Sequence, residues 1–93
     1  MKVTTDIIRD EFIGTEGRIA ESRHPDYVGV SGEVVDETKN TFTITQKGKQ
    51  KSVIKEAAVF RFKLSDGTIV EIDGKLLVGR PEDRLKKNVK RLW

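Results

Sequence analysis

The side chains best suited to chemistry in this sequence are a few scattered carboxylates and one histidine. Asp36, Glu37, Asp66 and Asp73 could act as general acids or bases or as Mg²⁺ ligands. Asp66 and Asp73 each precede a glycine, however, and an Asp-Gly pair is typical of a turn. His24 has no second histidine with which it could form a proton relay. We therefore predict no catalytic residue, and a chain that is inactive on its own.

The composition excludes several other kinds of site. The chain has no cysteine, which rules out a disulfide scaffold, a thiolate zinc site and a cysteine nucleophile. The single histidine leaves no histidine-based metal cluster, so we expect no metal or other cofactor bound by this chain. No segment approaches the roughly 18 apolar residues of a membrane span, and the N-terminus lacks the apolar stretch of a signal peptide. These features predict a cytoplasmic protein with no membrane partner.

Cations are concentrated in two segments of the chain. There are 18 Lys and Arg residues against 15 Asp and Glu residues, for a net charge of +3. Residues 46–63 contain six basic side chains and one acidic one, and residues 80–93 contain six and two. Four lysines lie especially close together: Lys47, Lys49, Lys51 and Lys55. The two segments could converge into a phosphate-binding surface, and the alternative is an evenly solvated surface with interspersed ion pairs.

The elements that position these side chains are predicted to be mostly β-strands. Val and Ile total 18 residues against five Leu, and β-branched side chains favour strands. Closely spaced turn signals separate seven predicted strands, at about 16–23, 29–37, 41–47, 50–55, 58–64, 68–72 and 75–78. Adjacent valines at 34 and 35 interrupt the alternation, which predicts a bulge near Asp36. This pattern predicts a mainly all-β chain that closes as a small antiparallel barrel.

Aromatic and basic side chains interleave in residues 59–63. This arrangement could form a platform on which unpaired RNA bases stack. Strand alternation favours a simpler division, in which Phe60 and Phe62 fill the barrel while Arg61 and Lys63 face solvent or phosphate.

Both ends of the chain are predicted to be helical. We expect one domain over residues 1–93, with an N-terminal helix at about 1–13, the barrel at 14–79 and a C-terminal helix at 80–93. Apolar side chains recur along these helices and could pack on the barrel or contact a protein partner. The candidates for partner contact are Ile8, Phe12, Leu85, Val89 and Leu92.

Four segments together resemble one known family, that of archaeal ribonuclease P protein component 1. They are VVDETKNT at 34–41, VFRF at 59–62, VEIDG at 70–74 and GRPEDRLKK at 79–87. The resemblance runs from about residue 12 to residue 87 in the same order and spacing. It implies a strongly bent antiparallel barrel of the Sm-like or SH3-like kind, with about six to seven strands and short terminal helices.

The resemblance also implies a function. Ribonuclease P removes the 5′ leader from precursor tRNA, and its RNA subunit carries out the Mg²⁺-dependent chemistry while its proteins support and position the RNA. The implied partners are ribonuclease P RNA, the zinc-ribbon protein subunit of the enzyme, its other proteins and, indirectly, precursor tRNA. A generic RNA-binding or ribosome-associated module, or a protein-interaction adaptor, is the alternative.

An RNA-binding subunit would contact phosphates through exposed Lys and Arg side chains, with little readout of bases. Arg80 and Arg84 are the leading candidates, because they lie inside a segment of the resemblance and have no evident role in the core. The candidate RNA-contacting residues are Arg18, Arg23, Lys39, Asn40, Lys47, Lys49, Lys51, Arg61, Lys63, Arg80, Arg84 and Lys87.

Overall fold

Six β-strands form one antiparallel sheet in the computed structural model of the protein, which describes residues 7, 8 and 11–84. The strands are β1 (Glu16–Ser22), β2 (Ser31–Glu37), β3 (Thr41–Gln46), β4 (Lys49–Ile54), β5 (Ala58–Lys63) and β6 (Ile69–Asp73). Their order across the sheet is β4-β3-β2-β1-β5-β6. The predicted all-β fold is confirmed, and its six strands lie within a residue or two of their predicted positions.

Alternation along the strands places the apolar side chains on one face, where the strongly bent sheet encloses them. Phe60 and Phe62 are fully buried, so the prediction that they belong to the core is confirmed. Phe62 stacks on Phe12 with ring centroids 4.1 Å apart, and Phe42 meets both strand phenylalanines edge-on. This aromatic cluster links the segment before β1 to the centre of the sheet.

A register shift between Val34 and Asp36 interrupts the pairing of β2 with β3. This is the bulge that the adjacent valines predict, and such irregularities increase the local bend of a strand. Gly32 contributes to the same bend, because a Cβ there would lie 1.8 Å from the carbonyl oxygen of Thr45. The close approach of these two backbones requires a residue with no side chain.

The two ends of the sheet meet through a pair of short 3-10 helices, Lys55–Ala57 after β4 and Gly74–Leu77 after β6. They pack so closely that a Cβ on Gly74 would lie 1.8 Å from the carbonyl oxygen of Lys55. β4 and β6 do not pair with each other, so this contact, rather than a ladder of strand hydrogen bonds, brings the barrel-like fold together.

Two predicted elements differ from the structure. The strand predicted at 75–78 is wrong, because Gly74–Leu77 is a 3-10 helix whose first turn is capped by the Asp73 side chain, 3.0 Å from the Lys75 amide nitrogen. Of the C-terminal helix predicted at 80–93, the turn Pro81–Arg84 is helical, and the remainder lies outside the described residues. Most of the helix predicted at 1–13 also lies outside them.

Candidate nucleic-acid interface

The exposed candidate RNA-contacting residues, apart from Arg23, fall on three separate parts of the surface. The turn corner consists of Lys39, Asn40 and Arg80; the hairpin tip consists of Lys47, Lys49 and Lys51; and the arginine face consists of Arg18, Arg61 and Lys63. Arg23 is exposed in the loop after β1, where it lines a shallow cleft together with His24 and Lys75. Lys87 lies outside the described residues.

The turn corner is held together by backbone hydrogen bonds between distant parts of the chain. The Gly79 amide donates to the carbonyl of Lys39 at 2.7 Å, and the Lys55 amide donates to the carbonyl of Asn40 at 2.8 Å. Lys39 and Asn40 form the turn between β2 and β3, whereas Arg80 follows the second 3-10 helix. These bonds therefore bring together exposed polar side chains that are forty residues apart in sequence.

A buried ion network lies directly beneath the turn corner. The Glu37 carboxylate, 2% exposed, accepts hydrogen bonds from Lys55 Nζ at 2.6 Å and from Arg84 Nη1, and both of those side chains are 0% exposed. Lys55 Nζ also donates to the carbonyls of Thr38 and Gly79, at 2.8 and 3.0 Å. The network thus fixes the backbone on both sides of the turn corner.

Arg84 extends this network toward the N-terminal part of the chain. Its Nε donates to the carbonyl of Ile8, and its Nη1 donates to the carbonyls of Leu77 and Gly79 at 3.1 and 2.7 Å. The prediction that Arg84 is a surface group available to RNA is wrong, because the barrel, Ile8 and the turn after residue 77 enclose its guanidinium. Lys55 likewise does not belong to the exposed lysine cluster with which it was grouped, because the same network buries it.

The arginine face lies on the outer side of β1 and β5. The strand register places Arg18 directly opposite Arg61 and places Glu16 opposite Lys63. Arg61 Nε donates to Glu71 Oε1 on β6 at 2.7 Å, in an exposed ion pair. Arg18, Arg61, Glu16 and Lys63 line a concavity of about 400 Å³ on the outer face of the sheet.

The hairpin tip projects from the opposite end of β3 and β4. Lys47 and Gly48 form the two-residue loop, and both have positive φ angles, 50° and 79°, as in the type I′ turns that suit tight hairpins. Lys49 and Lys51 follow on β4. The length of β3 separates this tip from the turn corner by roughly 17 Å, so the two cation groups form separate surfaces.

The carboxylates considered for catalysis organise the backbone instead. The Asp36 side chain accepts from the Glu37 amide, and that of Asp73 accepts from the Lys75 amide. The Asp66 carboxylate accepts from the Thr68 amide at 2.9 Å, and chiefly this bond lowers its pKa from 3.8 to about 2. Within residues 7, 8 and 11–84, no three His, Asp or Glu side chains are grouped to hold a metal ion.

The candidate partner residues divide between the core and the undescribed end of the chain. Ile8 and Phe12 are each 1% exposed, so the prediction that they present a surface to a partner is wrong. Phe12 packs against the strand phenylalanines, and the Ile8 carbonyl accepts the Arg84 bond. Leu85, Val89 and Leu92 lie beyond the last described residue.

Sequence reasoning missed two features of these surfaces. It did not identify the network of Glu37 and Lys55, although alternation along the predicted strand at 50–55 places Lys55 on the same side as Val53, which is buried. It also gave no role to Ile69, whose side chain is 66% exposed beside the arginine face. No sequence pattern marks Ile69, because an alternating strand would place an isoleucine inward as readily as outward.

Comparisons with known proteins consistently identify protein components of ribonuclease P. The family described as "Ribonuclease P/MRP, subunit p29" matches residues 5–87. Ribonuclease P protein component 1 of Methanothermobacter thermautotrophicus is 50% identical over 86 residues, covering 91% of this chain and 92% of that protein. The protein of the same name from Methanocaldococcus jannaschii is 46% identical over 88 residues, covering 94% of this chain and 92% of that protein.

A solved structure shows the same fold. It is titled "Structure of Mth11: A homologue of human RNase P protein Rpp29" and superimposes with a TM-score of 0.60 at 51% sequence identity. The match covers 81% of this chain and 97% of that one. Among the described residues there is no helix with the length and apolar character needed to cross a membrane.

Proposed function

Because the chain belongs to the ribonuclease P/MRP p29 family and is a protein subunit of ribonuclease P, we propose that it binds the RNA of that enzyme through its exposed cations. In this role it assists the RNA in removing 5′ leaders from precursor tRNA, in the cytoplasm. The observation that carries the proposal is the turn corner, where Lys39, Asn40 and Arg80 are exposed on a backbone that a buried ion network holds rigid.

The rigidity of the turn corner favours RNA binding for an entropic reason. A cation on a mobile loop loses conformational freedom when it pairs with a phosphate, and this loss reduces the net affinity. At the turn corner the backbone is already fixed by the Lys55 ammonium, which donates to carbonyls on both sides of the turn. Only the side chains of Lys39 and Arg80 remain to be ordered when RNA binds.

The proposed contacts are electrostatic and act on the phosphate backbone. Each Lys or Arg that neutralises a phosphate releases condensed counterions, which makes the affinity depend on salt concentration. The other candidates that the structure leaves exposed are Arg18, Arg23, Lys47, Lys49, Lys51, Arg61 and Lys63. Such contacts orient the protein on the RNA without reading its sequence.

We further propose that the chemistry of the reaction belongs to the RNA and its Mg²⁺ ions, and that the isolated chain is inactive. The hydrogen bonds by which Asp36, Asp66 and Asp73 accept from nearby backbone amides support this assignment, as does the burial of Glu37 in an ion network. The zinc-ribbon subunit of ribonuclease P is the proposed protein partner. The apolar positions 85, 89 and 92 remain the candidates for that contact.

The experiment that tests RNA binding is a titration of ribonuclease P RNA with the full chain at several salt concentrations. Replacing Lys39 and Arg80 with glutamine removes two proposed phosphate contacts, so we expect the slope of log K against log salt to become about 1.4–1.8 units less steep. Lys75→Gln is the matched control, because Lys75 is exposed and is not among the proposed contacts. An unchanged slope in the double variant would contradict a role for the turn corner. Absence of salt-dependent binding by the wild-type chain would instead favour a protein-interaction adaptor.

A further inference from the structure

The arginine face contains an arrangement that the folding of the chain does not require. Arg18 and Arg61 occupy directly opposite positions on β1 and β5, and both side chains point outward. Like charges at directly opposite positions destabilise a sheet, because their Cβ atoms are only about 4.5–5.5 Å apart. An anion between the two guanidinium groups would convert this repulsion into attraction.

The partners of the two arginines differ. Arg61 is oriented by its bond to Glu71, which uses Nε, and its terminal guanidinium nitrogens make no hydrogen bond with the residues that the structure describes. The Arg18 guanidinium makes no hydrogen bond or ion pair with any residue of the part of the chain that the structure describes. The pair therefore combines one oriented guanidinium with one whose donors are available, and a phosphate can accept from both.

A second row of side chains lies two residues along the same strands. Lys63 is opposite Glu16 on one side and Ile69 on the other. A step of two residues along a strand is about 7 Å, which is comparable to the separation of neighbouring phosphates in a nucleic-acid strand. Ile69, 66% exposed, offers an apolar surface beside these cations. The concavity of about 400 Å³ between the two rows is large enough to hold a nucleotide.

We propose that this concavity binds an unpaired nucleotide of RNA, with one phosphate held between Arg18 and Arg61, the next phosphate near Lys63, and the ribose or base against Ile69. Unpaired nucleotides fit this site because a paired base is stacked within its helix and cannot reach a side chain on a sheet face. This inference rests on the proposed RNA-binding function and assigns that function a specific site.

The test measures binding of the full chain to ribonuclease P RNA over a range of salt concentrations. Arg18→Gln and Arg61→Gln should each weaken binding by about three- to tenfold and make the salt slope about 0.7–0.9 units less steep. Lys75→Gln should change neither quantity by a comparable amount. Arg18→Gln should also leave the free chain as stable as before or raise its melting temperature by about 1–8 °C, because it removes the repulsion from Arg61.

Ile69→Thr separates the apolar contact from the charge contacts. It keeps a β-branched side chain on the edge strand, so the fold is preserved. We expect about threefold weaker binding to a short unpaired oligoribonucleotide, the same salt slope, and unchanged binding to the duplex of that sequence.

These experiments can refute the proposed nucleotide site without refuting the proposed RNA-binding function. If the wild-type chain binds RNA but both arginine variants behave like Lys75→Gln, the site is refuted and the proposed function stands. A fall in melting temperature for Arg18→Gln would also refute the site, since Arg18 would then have a structural role. Equal losses for the unpaired and duplex RNA in Ile69→Thr would overturn the assignment to an unpaired nucleotide. If the wild-type chain shows no salt-dependent RNA binding, the proposed function itself fails.

Discussion

The buried carboxylate of Glu37 is predicted to be a major source of stability, and Glu37→Gln tests this directly. Glutamine preserves the shape of the side chain but removes the negative charge that faces Lys55 and Arg84, both of which are 0% exposed. Removing one partner from a buried ion pair costs about 3–5 kcal/mol, because the remaining charge is left without compensation. Two cations depend on this carboxylate, so the upper part of that range is expected.

That loss is large for a chain of 93 residues. At about 0.05–0.15 kcal/mol per residue, a domain of this size has a total stability of roughly 5–14 kcal/mol. A loss of about 4–5 kcal/mol is therefore expected to lower the melting temperature, measured by circular dichroism, by roughly 16–40 °C, with a matching shift of the urea midpoint.

Glu71→Gln is the control for this measurement. It removes the same charge from the ion pair with Arg61, whose two side chains are 51% and 43% exposed, and exposed pairs contribute only about 0–1 kcal/mol. Equal losses in the two variants would refute the reasoning that burial makes Glu37 important. Because Glu37→Gln could fail to fold, Glu37→Gln combined with Lys55→Met gives a second test. The double variant leaves one buried cation instead of two without the carboxylate, so it should be more stable than Glu37→Gln alone and should fold where the single variant does not.

Three further outcomes are expected. Gly74→Ala should destabilise the fold by at least about 1–3 kcal/mol, because the alanine Cβ would overlap the carbonyl oxygen of Lys55. Urea denaturation measures this loss, and a variant as stable as the wild type would contradict the prediction. The pKa of Asp66 falls from its ordinary value of 3.8 to about 2 in the folded chain, chiefly because the Thr68 amide bonds the charged form. Ionised Asp66 therefore contributes stability that is fully present above pH 3.8 and is lost as the pH falls through about 2. Asp66→Asn should therefore show a shallower decline of melting temperature over that interval, and a decline as steep as the wild type would contradict it. Arg84→Gln should lower the melting temperature, because Arg84 belongs to the buried ion network. At a temperature where the variant is folded, the salt slope of RNA binding should be unchanged. A shallower slope would mean that Arg84 contacts RNA.

The strands could be predicted from the sequence because they alternate and are separated by strong turn signals. The burial of Phe60 and Phe62 and the bulge near Asp36 follow from the same alternation. The run after Gly74 could not be assigned in this way, because a short apolar segment suits a strand or a helical turn equally well. Its 3-10 form depends on the Asp73 cap and on the close contact at Gly74.

The buried charges of the candidate site were harder to predict from the sequence than the strands. A lysine and an arginine in basic segments are expected on the surface, because burying either one alone is costly. Only the folded backbone brings Glu37, Lys55 and Arg84 together, from positions 18 to 47 residues apart, and makes that burial favourable. The turn corner depends on the same long-range contacts, so it could not be predicted from any local pattern.

The most direct test of the central claim is precursor-tRNA cleavage by ribonuclease P RNA reconstituted with the zinc-ribbon subunit at limiting Mg²⁺, with and without this chain. The chain is predicted to raise the rate or lower the Mg²⁺ requirement, and to cleave nothing in the absence of the RNA. Unchanged cleavage on addition of the chain, or cleavage by the chain alone, would contradict its assignment as a non-catalytic RNA-binding subunit.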